Sequence, residues 1–106
     1  MPHFTPHQLH ERVILAPLRT LQIRASAPVI NRHVVAIQRG RPLPRIRVGD
    51  GTILDDGLHW YVAIYVLGLA VATETADAPS PDLIRYSMRQ VIFESLDWEN
   101  MTGRRL

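Results

Sequence analysis

The chain has 106 residues, 46% of them hydrophobic, and no cysteine, which is typical of one compact domain and excludes a disulfide framework or a thiolate metal site. Its formal net charge of +2 combines eight arginines and one acid in residues 1–49 with four arginines and nine acids in residues 50–106, so the first half is basic and the second half acidic. The uncharged run Trp60–Ala72 is shorter than the roughly 20 apolar residues that span a bilayer, and residues 1–12 lack the pattern of a signal peptide, so we expect a cytoplasmic protein without a membrane segment.

The amino-terminal half predicts a lead-in, a strand and a helix. Residues 1–12 form the lead-in, in which Gln8–Val13 is either a short helix or irregular, and Ile14–Ile23 contains the first strand and a turn. Asn31–Gly40 is predicted to be the first long helix, because its apolar residues recur at helical spacing and Gly40 suits the position just beyond a helix end.

The centre of the chain predicts a hairpin followed by a buried helix. Strands at Ile46–Val48 and Thr52–Leu54 flank Gly49-Asp50-Gly51, which supplies the positive-φ residues of a tight turn. Asp55–His59 then ends the second strand and opens a helix that is apolar on all faces and is therefore expected to be buried. We expect Gly57 to adopt a positive φ, and the first amides of the helix to point outward and favour an anion such as phosphate.

The carboxy-terminal part predicts a strand and a long helix. Val71–Thr75 is predicted to be a strand, and a turn-rich break leads to Ser80 and Pro81, a typical helix start. Apolar residues then recur at helical spacing, so residues 79–99 are predicted to form one amphipathic helix that packs on the sheet of the domain. A dimer seam is the alternative for this apolar face, and residues 100–106 are a tail.

Four arginines flank the first strand of the hairpin: Arg39, Arg41, Arg45 and Arg47. Arg45 and Arg47 share one face of that strand, because side chains alternate along it. The cluster could meet the phosphates of a nucleotide or of nucleic acid. Alternatively, it pairs with the aspartates of the same hairpin, which are Asp50, Asp55 and Asp56.

Three stretches of this sequence resemble the ParB/sulfiredoxin-like superfamily, which includes the ParB N-terminal nuclease-like domain. Val13–Leu21 looks like its opening strand and turn, and Pro42–Val48 is similar to its x-L-P-x-I-x-V strand. Gly57-Leu58-His59-Trp60 looks like a degenerate form of its Gly-x-His-Arg box, which stands between a strand and a helix. The resemblance implies an α+β fold with a small mixed sheet packed against helices, a core at residues 13–78, and a phosphate or nucleotide ligand at the box.

Two departures from the family pattern limit the chemistry. Sulfiredoxins carry a cysteine at the position of Leu58, so the sulfinic-acid reductase reaction is excluded because no thiolate is available. Trp60 stands where the family has an arginine, which would bind a phosphate through a planar fork of donors. A degenerate, non-catalytic version of the fold is therefore one interpretation.

The candidate phosphate-binding or nucleotide-binding residues are Asp56, Gly57, Leu58, His59, Arg32, Arg45 and Arg47. In the family this histidine supports the phosphate loop or the reacting nucleotide, so His59 is the catalytic candidate. Alternatively, its ring bonds a backbone carbonyl and fixes the loop. Asp55 and Asp56 could hold Mg²⁺ carried by ATP or CTP, or they could cap the helix and complement its dipole.

Three functions are open on the sequence alone. The first is a small stand-alone ParB-like module that binds a nucleotide or phosphate at the Gly57-Leu58-His59 loop in DNA transactions or regulation, with weak or no catalysis. The second is a Mg-dependent nucleotide phosphotransferase or hydrolase, so enzyme status is open. The third is a degenerate protein-interaction domain whose Trp60, Tyr61 and Tyr65 are exposed. DNA and a second copy of the chain are candidate partners besides the ligand.

Overall fold

The structure, a computed structural model, describes residues 3–101. This part of the chain contains four helices and six short strands. The helices are α1 (Pro6–Val13), α2 (Ala27–Gln38), α3 (Gly57–Val66) and α4 (Trp98–Met101). The strands are β1 (Arg19–Thr20), β2 (Arg24–Ser26), β3 (Ile46–Gly49), β4 (Thr52–Ile53), β5 (Thr73–Thr75) and β6 (Ile92–Glu94), and a 3-10 turn covers Met88–Gln90. The fold class is α+β, as predicted.

The strands form two small sheets. The larger sheet has the order β1-β4-β3-β5, in which β3 and β4 are an antiparallel hairpin and β1 and β5 run parallel to their neighbours. The smaller sheet pairs β2 with β6 in parallel, with Ala25 opposite Phe93. α3 packs against α1 and α2, and the buried side chains of these helices and of the strands form one core.

α1 packs on the core at the segment for which the sequence left a short helix and an irregular lead-in open. Thr5 and Gln8 form a reciprocal capping box, and Pro6 occupies the first turn, where a backbone N–H has no helical partner in any case. Leu9 and Val13 lie on one face and are fully buried. The helical alternative for this segment is therefore correct, and the helix begins at Pro6.

α2 begins at Ala27, earlier than the predicted start at Asn31. The hydroxyl of Ser26 caps it by accepting an N–H of the first turn. At the other end, Gly40 has a φ of 98°, and the N–H groups of Gly40 and Arg41 donate to carbonyls of the last helical turn. This paired arrangement is a Schellman end, so the role predicted for Gly40 is confirmed.

The hairpin β3–β4 turns at Asp50 and Gly51, within the predicted turn. Both residues have positive φ, 51° and 68°, which is the type I′ geometry that matches the twist of the strands. After β4, Asp55 also has a positive φ of 54°, and the chain then enters α3. The expectation of a positive φ at Gly57 is wrong, because the left-handed residue of this corner is Asp55.

α3 is buried on nearly every face, as its uniformly apolar sequence predicted. Within residues 3–101, no helix is long and apolar enough to cross a membrane. The strand predicted at Val71–Thr75 is present over Thr73–Thr75 as the edge strand β5. Of the predicted tail at residues 100–106, positions 102–106 lie outside the described residues.

The helix predicted over residues 79–99 is wrong. This segment contains the 3-10 turn, β6 and the start of α4. The apolar residues do not share one face: Ile84 is exposed, and Ile92 is exposed between buried Val91 and Phe93. That alternation is typical of a strand, and the backbone of β6 bonds β2 instead of closing helical turns.

Candidate functional site

The start of α3 borders a shallow depression of about 220 Å³. It lies between the hairpin and the first helical turn, because the chain passes from β4 through two aspartates directly into α3. Its lining consists of Pro44, Arg45, Ile46, Arg47, Leu54, Asp55, Asp56, Gly57 and Trp60. The structure thus brings the hairpin arginines, the aspartates and Gly57 together, but it places Leu58, His59 and Arg32 elsewhere.

The charges around this depression are only partly paired. Arg47 Nη1 donates to Asp55 Oδ2 at 2.6 Å, and both side chains are at least half exposed, so one of the hairpin pairings considered from the sequence is present. An exposed ion pair contributes only about 0–1 kcal/mol to stability, so an anionic ligand can replace the carboxylate. Within the described residues, Arg45 and Asp56 have no ion-pair partner.

The first turn of α3 is tightly packed but carries no side-chain cap. Asp56 precedes the helix without making a cap hydrogen bond, and the Gly57 N–H donates to Leu54 O at 3.3 Å. A Cβ on Gly57 would lie 2.9 Å from Ile53 Cγ2 and 3.2 Å from Ile46 Cγ2. Glycine is therefore required here by the close approach of the helix to the sheet.

His59 lies in a second cavity, of about 380 Å³, beside the start of α3. Its Nε2 accepts the Ser26 N–H at 2.9 Å, and its ring meets Trp98 edge-on, with 5.1 Å between centroids. Because Nε2 is an acceptor, the neutral ring carries its proton on Nδ1. Burial lowers the pKa of His59 below 6.5, against the opposing charges of Glu99 and Asp56, and this keeps the ring neutral at pH 7.

This histidine fixes the loop through the backbone, which was one of the two interpretations of the sequence, although its partner is an N–H and not a carbonyl. Among the described residues, the hydrogen-bond partner of the His59 ring is the Ser26 N–H. Leu58, the residue before it, has its side chain in the core. The Leu58 side chain is therefore not available to a ligand.

Trp60 borders both cavities. His33 stacks on its ring, with 3.7 Å between centroids and planes 4° apart, and the Arg41 guanidinium lies 5.0 Å from the ring centroid. Burial of the His33 ring lowers its pKa to about 4, so His33 is neutral at pH 7. No local sequence pattern connects His33 with Trp60, because they lie on different helices.

The protein-interaction face predicted at Trp60, Tyr61 and Tyr65 is wrong in one essential residue. Tyr61 is only 2% exposed, and its hydroxyl accepts the Leu18 N–H at 3.5 Å. Burial raises the pKa of this phenol above 10. Tyr61 therefore faces the core, whereas the side chains of Trp60 and Tyr65 are only partly buried.

Arg32 lies on α2, apart from the depression, and two acidic side chains of the carboxy-terminal segment engage it. Its guanidinium makes bidentate hydrogen bonds with the Asp97 carboxylate, in which Nη1 donates to Oδ2 at 2.8 Å. Its Nε donates to Glu99 Oε1 at 2.7 Å. The hydrogen bond to Asp97 is the main reason that the pKa of Arg32 is raised. Sequence reasoning missed Asp97 and Glu99, since they reach α2 only through the pairing of β6 with β2.

Asp55 and Asp56 do not form a metal site by themselves. Within residues 3–101, no group of three or more His, Asp or Glu side chains is arranged to hold an ion, and Asp55 is already bonded to Arg47. Mg²⁺ at this corner would be held by Asp56 and by the phosphates of a nucleotide, because Mg²⁺ in proteins commonly keeps waters and phosphate oxygens as its other ligands.

Comparison of the chain with models of known families, with curated proteins and with solved structures finds no match in any of the three. Function is therefore inferred from the geometry at the start of α3 together with the resemblance in sequence.

Proposed function

We propose that this protein is a small ParB/sulfiredoxin-like module that binds a phosphate-bearing ligand, a nucleotide, in the depression at the start of α3. One observation carries this proposal: Arg45 and Arg47 line the same small volume as Gly57 at the uncapped first turn of the helix. Arginine presents a fork of donors to phosphate oxygens. The amino end of a helix adds partial positive charge, while the Gly57 N–H itself donates to Leu54 O.

Trp60 supports a nucleotide rather than phosphate alone. Trp60 lines the depression beside the arginines, and the part of its ring that His33 and Arg41 leave uncovered offers an apolar contact to a sugar or a base. Asp56, which has no ion-pair partner among the described residues, is the carboxylate available to a Mg²⁺ that accompanies ATP or CTP. Binding would exchange the exposed Arg47–Asp55 pair for contacts with phosphate.

The proposed module is weakly catalytic or non-catalytic. His59, the catalytic candidate, bonds Ser26 and lines the neighbouring cavity instead of the depression, and Arg32 is held by Asp97 and Glu99. A cytoplasmic location and a role in DNA transactions or regulation belong to the same proposal. The role in DNA transactions is supported by the sequence resemblance and by the exposed arginines of the hairpin, and the location stays a prediction from the sequence.

Titration followed by nuclear magnetic resonance tests this proposal. ATP and CTP, each with Mg²⁺, are expected to shift the amide resonances of Asp55–Leu58. Arg45→Ala is expected to weaken binding by about tenfold, the effect of one lost charge-assisted hydrogen bond. Arg89→Ala is the matched control, because Arg89 is exposed and does not line the depression.

Equal affinities of the Arg45→Ala and Arg89→Ala variants, or no shift with either nucleotide, would contradict nucleotide binding at this place. Release of inorganic phosphate from ATP or CTP in the same samples would instead favour the phosphotransferase or hydrolase alternative. The assay therefore separates binding from catalysis in one set of measurements.

A further inference from the structure

A second group of anion-binding side chains lies on α2, where the chain itself covers it. We define the strap as Leu96–Glu99, the segment that follows β6. Arg32 makes bidentate hydrogen bonds with Asp97 of the strap, and its Nε donates to Glu99 Oε1 at 2.7 Å. Two carboxylates thus surround one guanidinium, and their oxygens occupy the positions that the oxygens of a phosphate group would take on an arginine fork.

Ser26, the cap residue of α2, binds the strap at the same end of the helix. Its hydroxyl donates to Leu96 O at 2.7 Å and accepts the Trp98 N–H at 3.4 Å. Ser26 is fully buried under these contacts, so displacement of the strap frees its hydroxyl to donate to water or to a phosphate oxygen.

The strap is held mainly by polar contacts near the surface. The Arg32 and Glu99 side chains are 44% and 52% exposed, Asp97 is 24% exposed, and Leu96 is 52% exposed. Trp98 is its main anchor, with its ring against His59 and its Nε1 donating to Glu94 Oε1 at 2.6 Å. Ion pairs that remain partly exposed are screened by salt, so a competing anion at high enough concentration can displace the strap.

We propose that Arg32 and Ser26 form an anion-binding site that the strap occupies as an internal ligand, and that a small phosphate-bearing ligand binds there by displacing the strap. An open groove of about 700 Å³ along α2 gives access to Arg32 and also contains Arg39. Arg39 raises the positive potential along this approach. The site is separate from the depression at α3 and does not depend on ligand binding there.

Titration calorimetry with inorganic pyrophosphate at fixed ionic strength tests this site. The double variant Asp97→Asn with Glu99→Gln removes the charges of the strap. Its matched control, Glu74→Gln with Asp82→Asn, makes the same change in net charge on exposed acids elsewhere. The strap variant is expected to bind pyrophosphate about tenfold more tightly than the control, and the addition of Arg32→Gln is expected to abolish this gain.

Equal affinity of the strap variant and its control overturns the proposal, as does a gain that survives Arg32→Gln. The single variant Glu99→Gln, at a more exposed position, provides a second measurement if the double variant does not fold. It is expected to give a smaller gain that again depends on Arg32, and no gain counts against the site. Arg45→Ala in the strap variant distinguishes the two sites, because a gain lost with Arg45 would belong to the depression at α3 and overturn this proposal.

Discussion

His33 is expected to make the stability of the protein depend on pH. Its ring stacks on Trp60, and burial lowers its pKa from 6.5 to about 4, with Glu99 opposing the shift and Arg41 adding to it. In the unfolded chain the pKa returns to about 6.5. Between these two values the unfolded state binds a proton that the folded state does not, so the free energy of unfolding falls as the pH falls.

The size of this effect follows from the same two pKa values. A pKa lowered from 6.5 to about 4 corresponds to at most about 3 kcal/mol between neutral pH and pH 4. The His33 ring is only partly buried, so solvent screening reduces the expected loss to about 1–2 kcal/mol. The stabilisation is fully present above pH 6.5, is lost as the pH falls towards 4, and does not change further below that.

Urea denaturation at neutral pH and at pH 4.5 measures the effect when wild type is compared with His33→Phe. Phenylalanine keeps a flat ring against Trp60 and does not titrate, so the wild type is expected to lose about 1–2 kcal/mol more than this variant on acidification. His7→Gln is the control, since the His7 side chain is 80% exposed. An identical pH dependence in wild type and His33→Phe would refute the claim that the folded protein keeps this ring neutral.

Other contacts give three more measurable outcomes. Asn31 is buried and makes two hydrogen bonds of 2.8 Å with the Phe4 backbone. Asn31→Ala is therefore expected to lower the free energy of unfolding, measured in urea, by about 1–3 kcal/mol. Gln38→Ala, at an exposed position of the same helix, is the control, and an equal loss in both variants would contradict this. Gly57→Ala is expected to lower it by about 1–3 kcal/mol because the new Cβ overlaps Ile53, and an unchanged thermal unfolding temperature would disprove the close approach. If the hairpin arginines bind DNA, gel-shift affinity is expected to fall with salt, and Arg45→Ala is expected to reduce the log–log slope by about 1; affinity that is insensitive to salt would exclude this mode.

The predictions that were correct concern elements determined by neighbouring residues. Asp50-Gly51 specifies a type I′ turn because both residues tolerate positive φ, and Gly40 ends α2 for the same conformational reason. The proximity of Arg45 and Arg47 to Gly57 also follows from neighbouring residues, because the hairpin that carries the arginines leads directly into α3. The start of α1 is also indicated by neighbouring residues, because Thr5 and Gln8 have the spacing of a capping box.

The predictions that failed depend on contacts between distant parts of the chain. Residues 79–99 carry apolar side chains at helical spacing, but the unpaired edge of β2 recruits Ile92–Glu94 as a strand. The same pairing brings Asp97 onto Arg32, which removes Arg32 from the predicted phosphate site. His59 was placed on the correct helix turn, but its Ser26 partner is 33 residues away in sequence, and no local pattern indicates such a bond.

The pairing of β2 with β6 also has a consequence during synthesis on the ribosome. Arg24 in β2 leaves the exit tunnel 70 residues ahead of Glu94 in β6, the residue with which its side chain forms an ion pair. Until then Ala25 has no neighbouring strand, and α1, which packs against β6 in the folded state, lacks part of its cover. Because such distant pairing is slow and leaves apolar surface open, nascent chains stalled before Phe93 are expected to be substrates for chaperones and proteases.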